Sequence, residues 1–168
     1  MMNIRKSVNL GFLMAVGILL QLIESFVPIV MIVPGFKIGL ANLASLFALM
    51  IYDKKSMWII GIGRIFLSAL LQGTLFSVAF WLSLSGGLLS LIAMSIAADV
   101  KVFSIYGISI LGAAFHSVGQ VIAVTWIYQQ YFMQLFLPIL LALSIVSGLV
   151  VAILSQKMLD RLKGRIIS

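Results

Sequence analysis

The sequence contains no cysteine, one histidine and four acidic residues, and these shortages exclude several classes of chemistry. Without cysteine there are no disulfides, no thiol redox chemistry and no cysteine-ligated clusters. A single histidine leaves no zinc or haem site of recognisable spacing, so we expect no metal and no cofactor. No glycine-rich P-loop ending in Lys and Ser or Thr is present, which excludes nucleotide hydrolysis by that route.

The acidic residues are too scattered along the sequence to form a magnesium site for prenyl-diphosphate chemistry. They are Glu24, Asp53, Asp99 and Asp160. Prenyl-diphosphate chemistry needs clustered aspartates to hold Mg²⁺ on the diphosphate group. Because the sequence has no such cluster, we expect that the chain is not an enzyme.

Charged residues make up only 9% of the chain, against 63% hydrophobic residues and a mean hydropathy of +1.26. A soluble domain carries about 25% charged residues, so the composition predicts an integral membrane protein. The formal charge of +7 does not indicate nucleic-acid binding, since basic residues at helix ends face anionic lipid headgroups. We expect a single transmembrane domain over residues 1–168, located in the cell membrane.

Long apolar runs without alternation predict a bundle of six transmembrane helices, since a helix needs about 20 residues to cross the hydrocarbon core. The predicted segments are Leu10–Val27, Lys37–Tyr52, Met57–Ser77, Phe80–Ala98, Phe103–Tyr128 and Gln134–Gln156. The second is short, which indicates a helix near-perpendicular to the bilayer or one that begins below the outer surface. The fourth has an alternative start at Ser85, with residues 78–84 as an outer loop or half-helix.

The distribution of Lys and Arg predicts the topology. Nine of the eleven precede the first segment, follow the sixth, or lie in the second and fourth connections. The other connections carry only Lys37, and Arg64 lies within a segment. Lys and Arg near segment ends are retained on the cytoplasmic side, so we expect both termini to be cytoplasmic. Arg5 and Lys6 also resemble the start of a signal peptide, but no convincing cleavage site follows.

The predicted outer connection from Pro28 to Phe36 is apolar and contains the Pro34-Gly35 turn. Two interpretations remain open. The connection is either a loop that lies in the membrane interface or a flap that folds over a cavity opening outward.

Polar and small residues recur at intervals of three and four within two segments, as on one face of a helix. They are Arg64, Ser68 and Gln72 in the third segment, and Ser109, Gly112, His116 and Gln120 in the fifth. Polar residues within membrane crossings usually face the bundle interior or a cavity. We therefore expect these two stripes to point inward.

The predicted orientation brings polar groups from several helices to a similar depth beneath the outer surface. They are Glu24, Lys37, Asn42, Gln72 and Gln120, with His116 just below. Facing one another, they would line an outward-facing polar pocket in an apolar bundle, as in a small-molecule site. We predict that these six residues bind substrate, with Lys37 and His116 suited to an anionic or carbonyl-bearing group.

Each pocket residue also has a structural interpretation. Glu24 and Lys37 flank one loop and can pair with each other. His116 can hydrogen-bond a neighbouring carbonyl. The two glutamines, Gln72 and Gln120, can hold helices together.

Three further residues are predicted to act outside the pocket. Arg64 is expected to be a structural charge that pairs with Asp99 or reaches the cytoplasmic headgroups. Gly11 and Ala15, four residues apart, allow another helix to approach closely. That helix belongs either to this bundle or to a separate membrane protein.

Four motifs in order carry a family resemblance: Pro34–Asn42, Gly63–Gly73, Ser83–Ser90 and Gly107–Gln120. Through them the chain resembles a bacterial family known as heptaprenyl diphosphate synthase component I, and also as the Gx transporter family. The resemblance covers nearly the whole chain. Its motif carries over onto Lys37, Asn42, Arg64, His116 and Gln120.

That family is similar to the substrate-binding S components of energy-coupling factor (ECF) vitamin transporters. Those are six-helix proteins with both termini inside and an outer pocket closed by the loop after the first helix. The resemblance implies uptake of a small organic molecule, amphiphilic or like a vitamin, quinone or isoprenoid. It also implies a separate coupling protein and two ATPases, docked through Gly11 and Ala15. The alternatives are a non-catalytic membrane subunit serving a polyprenyl diphosphate synthase or a redox system, and a scaffold.

Overall fold

The computed structural model describes residues 4–26, 39–100 and 102–167. Within these ranges the chain forms six α-helices, one 3₁₀ helix and no strand, so the predicted all-α fold is confirmed. The helices are α1 (Ile4–Phe26), α2 (Asn42–Ile51), α3 (Lys54–Leu71), α4 (Val78–Val100), α5 (Ile105–Tyr128), the 3₁₀ helix (Tyr131–Phe136) and α6 (Leu137–Ile167).

Four of these helices are long and apolar enough to cross a membrane, which fits a membrane protein. The candidate spans are Ile4–Glu24, Val78–Val100, Ile105–Tyr128 and Gln134–Leu162. Helix α2, with 10 residues, is about 15 Å long, half the hydrocarbon thickness of about 30 Å. That α2 and α3 complete six crossings, with both termini cytoplasmic, stays a prediction.

Ion pairs join several helix ends at one end of the bundle. We call this end the basic end. Lys6 at the start of α1 binds Asp53 in the turn between α2 and α3, with 2.6 Å between Nζ and Oδ2. Lys54 at the start of α3 binds Asp99 near the end of α4. Arg161 of α6 lines the same groove as the start of α1. The described helices that share this end therefore alternate in direction.

Four helix boundaries differ from the prediction by five residues or more. Helix α1 begins at Ile4 and not at Leu10, and α6 ends at Ile167 and not at Gln156. Backbone conformation explains the other two. Helix α2 begins at Asn42 and not at Lys37, because Gly39 has a φ of +82° that no α-helix contains. Helix α3 ends at Leu71 and not at Ser77, because the chain turns there through Gly73, whose φ is +65°. Helix α4 is continuous from Val78, which contradicts the alternative start at Ser85.

Helices α4 and α5 approach each other backbone to backbone through two glycines. A Cβ on Gly119 would lie 2.6 Å from the carbonyl oxygen of Ser85 and 2.7 Å from the Cα of Gly86. The Ser85 hydroxyl donates to the Gly119 carbonyl over 3.0 Å. This contact fixes His116 beside α4, since a Cβ on Gly86 would lie 2.8 Å from the His116 carbonyl oxygen.

Candidate functional site

Arg64, in the middle of α3, joins three helices through its guanidinium group. Its Nη1 donates to Oε1 of Gln21 on α1 over 3.0 Å. Its Nη2 donates to Oδ1 of Asn42 on α2 over 2.7 Å. Only 4% of Arg64 is exposed, so these are charge-assisted hydrogen bonds in the interior of an apolar bundle, where they are strongest.

Glu24 supplies a negative charge beside this guanidinium. The carboxylate of Glu24 acts electrostatically on Arg64, and only 5% of the residue is exposed. Its Oε1 also accepts a hydrogen bond of 2.6 Å from the backbone N–H of Leu40, in the turn before α2. Glu24 therefore balances the buried charge and holds the turn before α2 against the end of α1.

Helices α4 and α5 complete the surroundings of a small central cavity. The residues that line it come from five helices and the turn before α2: Gln21, Glu24, Gly39, Ala41, Asn42, Arg64, Ile65, Ser83 and His116. We call this set the central polar cluster. The cavity has a volume of about 10 Å³, enough for roughly one water molecule. In this conformation the cavity is too small for an organic molecule.

The structure brings together three of the six residues predicted to bind substrate. Glu24, Asn42 and His116 all line the cavity. Arg64, expected to be a separate structural charge, lines it as well. The expected pairing of Arg64 with Asp99 is wrong, because Asp99 accepts from Lys54 and Arg64 reaches away from the basic end.

The other three predicted binding residues lie elsewhere. Gln120 is buried on α5 next to Gly86 but does not line the cavity. Within the described part of the chain, neither its amide nitrogen nor its amide oxygen has a hydrogen-bond partner. Gln72 is exposed just after α3 and donates to the Ser68 carbonyl over 3.1 Å. Lys37 lies outside the described residues, as does the apolar connection from Pro28 to Phe36.

The predicted and the observed site differ because of the depth that the sequence analysis assigned to Asn42. The sequence prediction placed it near the outer surface and placed Arg64 nearer the cytoplasm. Asn42 and Arg64 each lie 11 residues from Asp53 along the sequence, which is about 16 Å along a helix. Because the two arms of this hairpin are equally long, the two residues lie at the same level along the bundle. Gln72 lies about 12 Å further along α3.

Apart from Arg64, two polar residues of the cluster were absent from the predicted site. Gln21 precedes Glu24 by three residues and shares its face of α1, so helical spacing alone indicates it. Ser83 begins a stripe of small buried residues on α4 that continues through Gly86 and Ser90. Such a stripe at intervals of three and four marks the face that packs against another helix.

Gly11 and Ala15 are exposed on α1, together with Phe12 and Leu19. A Cβ on Gly11 would have no heavy atom within 4 Å. Within the described residues these two positions therefore do not serve packing inside the bundle, and that interpretation is wrong. Whether a partner protein docks on them stays a prediction.

A known family matches a part of the chain that contains this site. The sequence profile of a family described as heptaprenyl diphosphate synthase component I matches residues 13–158. The chain belongs to this family. Its name describes a component of a synthase, and among the described residues no three His, Cys, Asp or Glu side chains are placed to hold a metal ion. No curated protein and no solved structure matches the chain.

Proposed function

We propose that this member of the family is the substrate-binding membrane subunit of an uptake system for a small organic molecule. The observation that carries the proposal is the central polar cluster. Ionisable residues inside a membrane bundle are costly and usually mark a binding or transport pathway. Here an arginine, a glutamate and a histidine line one cavity between five helices.

The chemistry of the cluster suits a ligand with a polar head. Arg64 and the amide of Asn42 offer donors, Glu24 offers an acceptor, and His116 offers either. Around this polar centre the helices are apolar, for example at Ile65. A ligand that is polar at one end and apolar at the other would satisfy both parts of such a site.

The orientation proposed for the chain follows from the basic end. Lys and Arg near helix ends favour the cytoplasmic side, so both termini lie inside and the connection between α1 and α2 lies outside. The cluster is then reached from outside by parting α1 and α2, whose contact includes the hydrogen bond between Glu24 and the N–H of Leu40. Energy for the movement would come from separate subunits, a membrane coupling protein with ATPases, bound on the α1 face that contains Gly11 and Ala15.

Ligand detection on the purified protein tests this function. The protein is screened by thermal shift against vitamins, flavins, quinone precursors and isoprenoids, and small molecules released on denaturation are identified by mass spectrometry. We expect at least one compound to raise the melting temperature, and His116→Ala to abolish that rise. Lys55→Gln, an exposed change at the basic end, is the matched control. An absence of both a stabilising compound and a released molecule would overturn the proposal.

The family description favours a second candidate. The chain would then be a non-catalytic membrane subunit of a heptaprenyl diphosphate synthase, consistent with the absence of clustered aspartates from its sequence. In that case a soluble synthase subunit co-purifies with the chain from native membranes and loses activity when the chain is removed. The uptake function predicts neither result, so the two candidates are distinguishable in one preparation.

A further inference from the structure

A second, larger cavity lies outside the central polar cluster and shares no residue with it. It is an open groove of about 700 Å³ at the basic end, between the start of α1, the end of α2 and the end of α6. The residues that line it are Asn9, Phe12, Leu13, Phe47, Ile51, Tyr52, Met158, Arg161 and Leu162. Its volume is within the range of about 300–1,000 Å³ for small-molecule sites.

The lining changes from polar to apolar along the bundle axis on two of the three helices. On α1, Asn9 is nearer the basic end than Phe12. On α2, Phe47 is further from that end than the Tyr52 that follows the helix. On α6, Arg161 is nearer the end than Met158, and the apolar Leu162 follows it. A groove with a polar mouth and apolar walls fits a molecule with a polar head and a hydrocarbon tail.

The polar mouth of the groove is also positively charged. Asn9 Nδ2 donates to the Tyr52 hydroxyl over 3.0 Å, and the Nζ of Lys6 lies 5.4 Å from the centre of the Tyr52 ring. Lys6 is already paired with Asp53, whereas Arg161 has no ion pair within the described part of the chain. The guanidinium of Arg161 is therefore the cation available to an incoming anion.

We propose that this groove binds one anionic phospholipid of the surrounding membrane. The phosphate group lies against the Arg161 guanidinium, which pairs with phosphate through two parallel hydrogen bonds. One acyl chain lies along Phe12, Phe47 and Met158. Basic pockets between membrane helices at the cytoplasmic side recognise anionic headgroups in this way. The bound lipid would join α6 to α1 where the described helices leave a gap.

The test uses delipidated, detergent-purified protein and native mass spectrometry with three titrants. They are phosphatidylglycerol, phosphatidylcholine with the same acyl chains, and inorganic phosphate. We expect one phosphatidylglycerol per chain, bound more tightly than phosphatidylcholine, and no competition from phosphate at equal concentration. Arg161→Gln should weaken phosphatidylglycerol binding about fivefold, from the contribution of one basic residue near an anionic headgroup.

Two variants separate the groove from general surface charge. Lys55→Gln removes an exposed cation of the same end that does not line the groove, and should leave phosphatidylglycerol binding unchanged. Met158→Trp places a ring in the apolar part and should abolish binding of both lipids. Since Met158 is 37% exposed, this change is compatible with folding. If it fails to fold, Arg161→Gln still decides the test, because Arg161 is exposed.

Several outcomes would overturn the proposal. Equal binding of the two lipids, or unchanged phosphatidylglycerol binding in Arg161→Gln, would show that the anionic headgroup does not contribute to binding. Competition by inorganic phosphate would reveal a site for a soluble anion only. A protein helix or a second copy of the chain bound in place of lipid would assign the groove to a protein interface.

Discussion

The guanidinium of Arg64 donates to the side-chain oxygen of Asn42 over 2.7 Å, and this bond ties the middle of α3 to the first turn of α2. The two residues lie at equal distances along the sequence from Asp53, on the two arms of a helical hairpin. Asn42 is therefore both the start of a helix and the partner of a buried charge. Removing Arg64 leaves the side-chain oxygen of Asn42 without this donor, and removing Asn42 leaves Nη2 of Arg64 without this acceptor. Either loss in an apolar interior costs about 1–3 kcal/mol or more.

This bond predicts strong coupling between the two positions. Arg64→Leu and Asn42→Leu should each lower the free energy of unfolding, and the double variant should lose less than the sum of the two. We expect a coupling energy of about 0.5–3 kcal/mol, measured by denaturant titration in mixed micelles. Gln130→Leu, an exposed change after α5, should add to Arg64→Leu without coupling. Additive losses at positions 64 and 42 would contradict the bond.

The two contacts of Glu24 predict that two substitutions at this position lower stability by different amounts. Glu24→Gln removes the charge but keeps an oxygen that can accept from the N–H of Leu40, whereas Glu24→Leu removes both. Both variants should be less stable than the wild type, since the buried charge of Arg64 loses its counter-charge. Glu24→Leu should cost about 1–3 kcal/mol more than Glu24→Gln, because the N–H of Leu40 also loses its acceptor. Equal losses in the same titration would show that this hydrogen bond contributes nothing.

The glycine contact between α4 and α5 predicts that two alanine substitutions differ in their effect on stability. In Gly119→Ala the new methyl group meets the Ser85 carbonyl and the Gly86 backbone, and these helices must separate. We expect a loss of about 1–3 kcal/mol and a lower melting temperature. Gly11→Ala adds the same atom where no neighbour lies within 4 Å. It should be neutral or slightly stabilising, because alanine favours a helix over glycine by about 0.5–1 kcal/mol.

The Lys6–Asp53 pair predicts a pH dependence at the acidic extreme. A hydrogen bond from Lys6, with a second from the N–H of Ser56, lowers the pKa of Asp53 from its ordinary 3.8 to about 2. A lowered pKa means that the ionised form stabilises the fold, fully above pH 3.8 and progressively less as the pH falls to about 2. The difference in melting temperature between wild type and Asp53→Asn should be constant from pH 7 to about 4 and shrink below it. A constant difference down to pH 2 would contradict the shift.

The absence of cysteine makes the proposed orientation directly measurable, since each introduced cysteine is the only thiol in the chain. Tyr131, 76% exposed after α5, lies at the end of the bundle opposite to the exposed Lys55. In intact cells a membrane-impermeant maleimide should label Tyr131→Cys and spare Lys55→Cys. Permeabilised cells should show both labelled. The reverse pattern in intact cells would place the basic end outside.

The sequence predicted the helices well because a helix in lipid must satisfy its own backbone hydrogen bonds, so an apolar run of sufficient length leaves few options. The polar character of Glu24, Asn42 and His116 within apolar segments also predicted that they would face inward. The start of α2 was not predictable in this way. It depends on the positive φ of Gly39, and an apolar run continues through that residue without a break in composition.

The depth assigned to Asn42 decides which polar residues meet. Counted from the outer surface, Asn42 would lie about one turn deep, near the level of Gln72 and Gln120. Counted from Asp53, in the turn between α2 and α3, the same side chain lies 11 residues away, at the level of Arg64. A shift of one turn between neighbouring helices changes the partners of a long side chain such as arginine. The spacing of residues along a single helix does not specify that shift. Hydropathy predicts which residues are buried, but not which ones touch.

The backbone contact between Gly119 and Ser85 gives the two sides of the central polar cluster different stiffness. On one side, the main chains of α4 and α5 touch, so separating these two helices must break backbone contacts. On the other side, α1, α2 and α3 are joined at the cluster by hydrogen bonds of side chains. Under the proposed function, entry of a ligand would therefore move α1, α2 and α3 away from the α4–α5 pair, with ligand groups replacing those hydrogen bonds.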